Sequence, residues 1–154
     1  ELIIQKAVEL GVYQVIPVAM KRCVVKLDDK KASSKLTRWQ GIAEAAAKQS
    51  KRGIIPQITK VMTFAQALEY SRTAQVRLVP YELAEGMDRT REIIEQIQPG
   101  QDIAVFIGPE GGFDEAEIGK VIEAGTQPIT LGKRILRTET AGMTVLSILM
   151  YHLE

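Results

Sequence analysis

The sequence DIAVFIGPEGGFDEAE, residues 102–117, joins an apolar segment, a glycine-rich turn and a helix start. Its first part is almost continuously apolar, which is typical of a strand buried on both faces of a sheet. Three glycines follow within five positions, at Gly108, Gly111 and Gly112. Asp114 can then cap a helix, because Glu117 three positions later completes a capping box. This strand–turn–helix unit predicts an α/β fold in which the turn faces a ligand.

The alternation of strands and helices continues on both sides of this unit. Strands are predicted at YQVIPV (13–18), CVVKL (23–27), IPQIT (55–59), QVRLVP (75–80) and PITLG (128–132). Helices are predicted at residues 1–10, from Ser33 or Ser34 to about Lys51, at 64–70 after a Thr63 cap, at 88–97, from 114 to Gly125, and at 140–152. We therefore predict one α/β domain over residues 1–154, with a mostly parallel sheet and helices on both faces.

The composition is that of an ordinary globular domain, with 45% apolar and 25% charged residues among 154. No apolar run reaches the roughly 20 residues that a membrane-spanning helix needs, so we expect no membrane span. Cys23 and His152 are the only residues of their types, which argues against a disulfide framework and against a Cys/His metal site. We expect a cytoplasmic protein without a metal.

The net charge of +1 conceals a strong segregation of charge along the chain. Residues 21–60 carry a charge of +8 and residues 61–154 a charge of −6. Such segregation can mark a nucleic-acid-binding face, although a solvated charged helix produces the same pattern. Arg38, Gln49 and Arg52 fall on one face of the long predicted helix, where they could grip phosphates and a base edge. A solvated polar face is the alternative.

A second polar cluster, LGKRILRTETA at 131–141, separates the last strand from the last helix. Helix entry ordinarily needs one N-cap residue rather than a dense polar cluster. Neither this cluster nor the turn at 108–112 has the spacing of a dinucleotide or P-loop phosphate motif. A neutral or cationic ligand with an adenosine part fits better, with Glu110 able to reach a ribose hydroxyl. A tight turn with a purely structural role is the alternative.

Three segments together identify a resemblance that covers essentially the whole chain. They are RWQGIAEAAAKQSKR (38–52), FIGPEGGF (106–113) and LGKRILRTETA (131–141), and QKAVELGV (5–12) agrees with them. In this order they resemble the bacterial 16S ribosomal RNA uracil-N3 methyltransferases of the SPOUT superfamily. Cys23 departs from the family, in which a small hydroxyl residue is expected there.

The resemblance implies a deep trefoil knot at the C-terminal end, with three loops forming an S-adenosylmethionine (SAM) pocket. It also implies a homodimer, and 16S ribosomal RNA in the small ribosomal subunit as the substrate. The chain starts at Glu1 within a predicted helix, so we expect residues upstream, and the resemblance implies that these include a PUA-like RNA-binding domain and one more strand. The implied cofactor contacts are Leu78, Val79, Pro80 and Glu82 in the first loop, Gly108, Pro109, Glu110, Gly111 and Gly112 in the second, and Leu131, Gly132, Ile135, Leu136, Arg137, Thr140 and Ala141 in the third.

The resemblance also suggests roles for side chains near the target base. Arg137 would stabilise the uracil anion by donating to a carbonyl oxygen. Glu139 is the candidate base, although an ion pair with Arg134 or Arg137, or a helix-dipole role, would also explain it. The predicted RNA contacts are Arg22, Arg38, Gln49, Arg52 and Arg134. The competing functions are a SPOUT methyltransferase acting on ribose 2′-OH or on tRNA, and a non-catalytic RNA-binding module.

Overall fold

The computed structural model describes residues 1–21, 28–84 and 86–154. The predicted CVVKL strand (23–27) and Arg22 lie outside the described residues. The helices are α1 (Leu2–Glu9), α2 (Asp29–Gln49), α3 (Phe64–Ser71), α4 (Met87–Glu95), α5 (Glu115–Glu123) and α6 (Thr138–Leu153). The strands are β1 (Gln14–Val15), β2 (Val18–Ala19), β3 (Gln57–Ile58), β4 (Met62–Thr63), β5 (Val76–Pro80), β6 (Ile103–Val105) and β7 (Gln127–Ile129).

The strand pairs are parallel, as predicted. β1 pairs with β3, and β2 pairs with β4. The larger sheet has the order β6-β5-β7, with Leu78 of β5 opposite Val105 of β6 and Pro80 opposite Ile129 of β7. The carboxyl ends of these three strands therefore meet at one edge, where the turns that follow them come together.

Helices cover both faces of the larger sheet, because successive residues of a strand point to opposite faces. Leu78 packs into a cluster with Ile93 and Ile94 of α4 and with Val145 and Leu149 of α6. On the opposite face, the next residue packs differently: Val79 joins a cluster with two buried residues of α5, Ile118 and Val121. The prediction of a parallel sheet with helices on both faces is confirmed.

A third apolar cluster joins α1 and α2 above β3. Ile4 and Val8 of α1 pack against Ala43 and Ala47 of α2 and against Ile58 of β3. The small alanine side chains let the two helix backbones approach closely. α1 also packs against α6, which connects this cluster to the larger sheet.

The local helix-start signals were correct where a capping box was present. Asp114 Oδ1 accepts from the Glu117 N–H at 2.7 Å, and Glu117 Oε1 accepts from the Asp114 N–H at 2.9 Å. Thr63 forms the same reciprocal arrangement with Gln66. In both places the two hydrogen bonds satisfy N–H groups that the helix itself leaves unpaired.

Two helix starts were predicted wrongly. α2 begins at Asp29 rather than after Ser33 or Ser34, because Asp28 Oδ1 accepts from the Lys31 N–H at 2.8 Å and caps the helix earlier. α6 begins at Thr138, two residues before the predicted start, with Arg137 at the N-cap position and no side-chain cap.

The predicted strand at 13–18 is divided into β1 and β2 by the segment that contains Pro17, which has no backbone N–H for a ladder.

Candidate functional site

Three segments that follow β5, β6 and β7 enclose one cleft of about 630 Å³. We call them the first turn (residues 80–82), the second turn (residues 107–113) and the third segment (residues 130–141). They come together because their strands are parallel and end at the same edge of the sheet. The cleft is large enough for a small-molecule ligand, since such pockets usually measure about 300–1,000 Å³.

The second turn depends on glycine at two positions. At Gly108, an added Cβ would lie 3.1 Å from two carbons of the Phe113 ring, so the ring would have to move. Gly112 has φ +74, and its N–H donates to the Pro109 carbonyl at 2.8 Å. The turn is therefore tight, as expected for a turn with a structural role. Its residues also line the cleft.

The third segment is attached to the second turn by a threonine that sequence reasoning gave no role. Thr138, the first residue of α6, donates from Oγ1 to the Gly108 carbonyl at 3.1 Å. Its hydroxyl therefore holds the start of α6 against the second turn instead of capping the helix. The polar cluster at 131–141 thus closes one side of the cleft.

Most of the predicted cofactor residues are brought together by the fold. The cleft is lined by Pro80, Glu82, Gly108, Pro109, Glu110, Gly111, Gly112, Leu131, Gly132, Ile135, Leu136, Arg137 and Ala141. Leu78 and Val79 do not line it, because both are 0% exposed in the apolar clusters on opposite faces of β5. Thr140 also lies outside the lining, with its side chain exposed on the first turn of α6.

Sequence reasoning missed five residues that line the cleft: Tyr81, Ile107, Phe113, Thr130 and Thr138. Tyr81 and Ile107 each adjoin a predicted site residue, so their position next to a motif was the available signal. Thr130 adjoins the predicted residue Leu131 in the same way, but no local pattern indicated its role, because its hydrogen-bond partner Thr90 is 40 positions away.

The predicted charged residues surround the mouth of the cleft. Arg134 and Arg137 are exposed and Glu139 is half-buried, and all three line the cleft. Within residues 1–21, 28–84 and 86–154, these three side chains form no ion pair with each other. Glu139 therefore does not form the ion pair with Arg134 or Arg137 that was one of its alternative roles. Its place in the first turn of α6 also suits the helix dipole.

The predicted RNA-binding stripe has partners within the chain, and one of its members is not on the helix, because α2 ends at Gln49 before Arg52. Arg38 Nη2 donates to Glu1 Oε2 at 3.1 Å, and this hydrogen bond lowers the pKa of the Glu1 carboxyl. Arg52 Nη1 donates to the Val12 carbonyl at 2.6 Å and to the Val8 carbonyl at 3.1 Å, so it holds the end of α1. Gln49 is exposed. Arg38 and Gln49 remain accessible to a ligand, whereas the Arg52 guanidinium is already engaged.

Two features are absent from residues 1–21, 28–84 and 86–154. None of the helices there combines the length and the hydropathy needed to cross a membrane. No cluster of three or more His, Cys, Asp or Glu side chains suited to a metal ion was found in the same parts of the chain.

Solved structures of longer proteins share this fold. A ribosomal RNA small subunit methyltransferase E from Neisseria gonorrhoeae, bound to S-adenosyl methionine, is 34% identical with a TM-score of 0.83, over 99% of this chain and 60% of that chain. A Legionella pneumophila methyltransferase, in complex with the bound cofactor SAM, is 34% identical with a TM-score of 0.87, over 97% of this chain and 60% of that chain.

Curated relatives point in the same direction. The ribosomal RNA small subunit methyltransferase E of Bacillus subtilis (strain 168) is 40% identical over an alignment of 157 residues. This alignment covers 100% of this chain and 61% of the relative. Its namesake in Mesomycoplasma hyopneumoniae (strain 232) is 40% identical over 96% of this chain and 62% of the relative. The chain thus spans about three-fifths of the length of these relatives. The family described as RNA methyltransferase domain matches residues 1–150, and the chain belongs to that family.

Proposed function

We propose that this chain is the catalytic part of a SAM-dependent methyltransferase that methylates N3 of a uridine in 16S ribosomal RNA. The observation that carries the proposal is the cleft in which the first turn, the second turn and the third segment converge, with Arg137 and Glu139 in its lining. Relatives named for small-subunit ribosomal RNA methylation support the choice of substrate. Such an enzyme would act in the cytoplasm on the small ribosomal subunit.

The residues around the cleft fit SAM. Apolar side chains of Ile107, Phe113 and Leu131 can contact the flat face of an adenine, while the glycine-rich second turn offers backbone N–H and C=O groups to its edge. Glu82 and Glu110 supply carboxylates that can accept from ribose hydroxyls or face a cationic group. When bound, SAM supplies a methyl group on a positively charged sulfur, an electrophile that needs no metal for activation.

The remaining chemistry falls to side chains of the third segment. Uracil N3 carries a proton that must leave before or during methyl transfer, and the resulting negative charge spreads to the flanking carbonyl oxygens. The Arg137 guanidinium is exposed at the cleft and can donate to such an oxygen. The Glu139 carboxylate lines the same cleft and can accept the N3 proton.

The surface around the cleft suits a folded RNA substrate. Arg134 and Arg137 are exposed cations at the cleft mouth, and Arg38 and Gln49 are exposed on α2. Cations that neutralise phosphates supply much of the affinity for RNA, and they position the substrate without reading its sequence. The target base must then leave its stack to reach the cleft. We therefore include the exposed side chains Arg38 and Gln49 of the cation-rich segment 21–60 in the proposed RNA-binding surface.

We also infer that the C-terminal part of the chain is threaded as a trefoil knot. Three features support this inference. β5 lies between β6 and β7, so the chain crosses over β5 on its way from β6 to β7. α5 and α6 then pack on opposite faces of β5. The start of α6 is tied to the second turn through Thr138 and Gly108.

Calorimetry with SAM tests the proposed cofactor. We expect the chain to bind SAM, and S-adenosylhomocysteine to compete for the same site, because the adenosine part should provide most of the contacts. ATP is the control ligand, because it has the same adenosine part. It should bind more weakly than SAM, since the second turn lacks the spacing of a phosphate loop. A folded sample that gives no heat with SAM would refute the proposal.

The methylated nucleoside separates the proposed reaction from its alternatives. Mass spectrometry of 16S ribosomal RNA from a deletion strain, with and without the restored gene, should show loss and recovery of N3-methyluridine. Loss of a 2′-O-methyl nucleoside, or of a transfer-RNA modification, would instead indicate the other SPOUT activities. An unchanged nucleoside profile would favour a non-catalytic RNA-binding module.

We further propose that the chain forms a homodimer through α6. Val145 and Leu149 are buried within the subunit, but a shallow groove of about 420 Å³ on the same helix is lined by Met143, Thr144, Ser147, Ile148 and Tyr151. Tyr151 is 91% exposed, which is unusual for an aromatic residue on an apolar helix. A two-fold contact between identical helices would cover this face.

Sedimentation of two matched tyrosine variants tests the dimer. We expect the unmodified chain to sediment as a dimer at micromolar concentration and Tyr151→Asp to shift it towards monomer, because a charge at the interface loses its hydration. Tyr13→Asp is the control, since Tyr13 is also exposed, at 75%, but lies after α1 instead of on α6. A monomeric unmodified chain, or equal behaviour of the two variants, would contradict the α6 interface.

A further inference from the structure

A buried chain of hydrogen bonds connects α4 to the third segment of the cleft. Thr90 of α4 is 2% exposed, and its Oγ1 both accepts from the Thr130 N–H and donates to the Thr130 carbonyl, each at 3.0 Å. Thr130 repeats the arrangement one step further along. Its Oγ1 accepts from the Gly132 N–H at 3.2 Å and donates to the Gly132 carbonyl at 3.1 Å.

Thr90 supplies hydrogen bonds that the sheet no longer provides at this point. The last residue pair between β5 and β7 is Pro80 with Ile129, so Thr130 lies just beyond the ladder. Buried backbone N–H and C=O groups without partners are costly, and Thr130 is only 9% exposed. The Thr90 hydroxyl therefore extends the backbone pairing by one residue into the lining of the cleft.

The next part of the segment combines apolar packing at Leu131, which lies against the core cluster around Leu78, with hydrogen bonds at Gly132. Gly132 has φ +122, a conformation that residues with side chains rarely adopt, and a Cβ added there would meet nothing within 4 Å. Gly132 has no side chain to pack, so hydrogen bonds are what fix its own backbone beyond the packing of its neighbour Leu131. Among the described contacts, those hydrogen bonds come from Thr130, which Thr90 holds in turn.

We propose that Thr90 is a positioning residue that shapes the third segment before any ligand binds. It does not line the cleft, and it acts through Thr130 and Gly132, which do. Since α4 follows the first turn along the chain, the same helix also joins the first turn to the third segment. A site held in its binding shape loses less conformational entropy when the ligand binds. The identity of that ligand as SAM rests on the proposed function.

Three variants separate positioning from general stabilisation. Thr90→Val removes the hydroxyl at nearly constant volume, whereas Thr90→Ser keeps it. Thr126→Val is the matched control, because Thr126 is also 2% exposed and its Oγ1 has no hydrogen-bond partner in the described structure. Thr126 is outside the lining of the cleft. Each variant is examined by amide hydrogen exchange of the ligand-free protein and by SAM calorimetry.

We expect Thr90→Val to accelerate exchange of the Thr130 and Gly132 amides by about tenfold or more, since a buried donor loses its acceptor. The dissociation constant for SAM should rise about tenfold, because the segment must then be ordered on binding. Thr90→Ser and Thr126→Val should stay within about threefold of the unmodified chain in both measurements.

Thr130→Val tests the second link of the same chain of hydrogen bonds, and it also serves if Thr90→Val does not fold. Both substitutions release Gly132, so the double variant should bind SAM about as weakly as Thr130→Val alone. Additive losses would overturn the proposal, and so would a Thr90→Val variant indistinguishable from Thr126→Val. If the unmodified chain does not bind SAM, the proposed function fails, while amide exchange still decides the role of Thr90.

Discussion

Replacing Arg137 with alanine is expected to lower kcat for ribosomal RNA methylation by about 10²- to 10³-fold, the range for loss of one donor to developing negative charge. The guanidinium is exposed at the mouth of the cleft, and no carboxylate of the described chain occupies it. It is therefore free to follow the charge that develops on the base during methyl transfer. Because this charge is small before the reaction, SAM affinity should change little. Methyl transfer at saturating SAM, together with calorimetry, measures both quantities.

Two other arginines serve as comparisons for Arg137. Arg91→Ala removes an exposed arginine of α4 that pairs with Asp88 at 2.8 Å, and it should leave kcat unchanged. Arg134→Ala removes a second cation from the cleft mouth. Its main effect should be weaker RNA binding with a smaller salt dependence, while kcat should fall less. If Arg137→Ala instead loses SAM affinity and keeps normal kcat at saturation, Arg137 is a cofactor contact without a catalytic role.

Replacing Leu78 with alanine is expected to reduce the free energy of unfolding by about 2–5 kcal/mol, the usual cost of truncating a buried leucine. Leu78 is 0% exposed and packs among residues of β7, α4 and α6, so the lost side chain leaves a cavity. For a domain of this size that loss lowers Tm by several degrees per kcal/mol, roughly 2–4 °C for each. Urea denaturation gives the free energy, and SAM calorimetry of the folded protein gives the effect on the cleft.

Leu83→Ala is the matched control for Leu78, with the same chemical change at a side chain that is 76% exposed. It should alter the free energy of unfolding by less than about 0.5 kcal/mol, as surface substitutions usually do. The comparison also tests the interpretation of Leu78 from sequence as a cofactor contact. Should Leu78→Ala keep nearly full stability and lose SAM affinity, Leu78 contacts the ligand and the core assignment is wrong.

Helix starts could be predicted from the sequence where both partners of the capping hydrogen bonds lie within one turn of helix. The predicted cap at Thr63 and the predicted capping box at Asp114 are confirmed, because each needs only a residue three positions away. The start of α2 was wrong because Asp28 and Ser33 are both competent caps, and local preference does not choose between them. The predicted end of α5 at Gly125 is also confirmed, and Gly11 after α1 adopts the same conformation, each with φ +91.

The residues that line the cleft could be predicted from the sequence only in part. The three segments were identified from their glycine and polar clusters, and parallel strands bring their ends together. Whether Leu78 or Val79 reaches the cleft depends on which residues pack on each face of β5, and no spacing within the strand encodes that. The role of Arg52 was equally hidden, because its acceptors, the Val8 and Val12 carbonyls, are 44 and 40 positions away.

The sequence by itself determined the α/β class, the parallel pairing and the place of the turns that line the cleft. These follow from hydrophobic period, capping and glycine position, all of which act over a few residues. Only the tertiary structure decided which of the turn residues line the cleft and what holds them. Thr90 and Thr130 are 40 positions apart, and their hydrogen bonds exist only because α4 packs beside the end of β7. A buried hydroxyl looks the same in sequence whether it is idle, as at Thr126, or holds a ligand-binding segment, as proposed for Thr90.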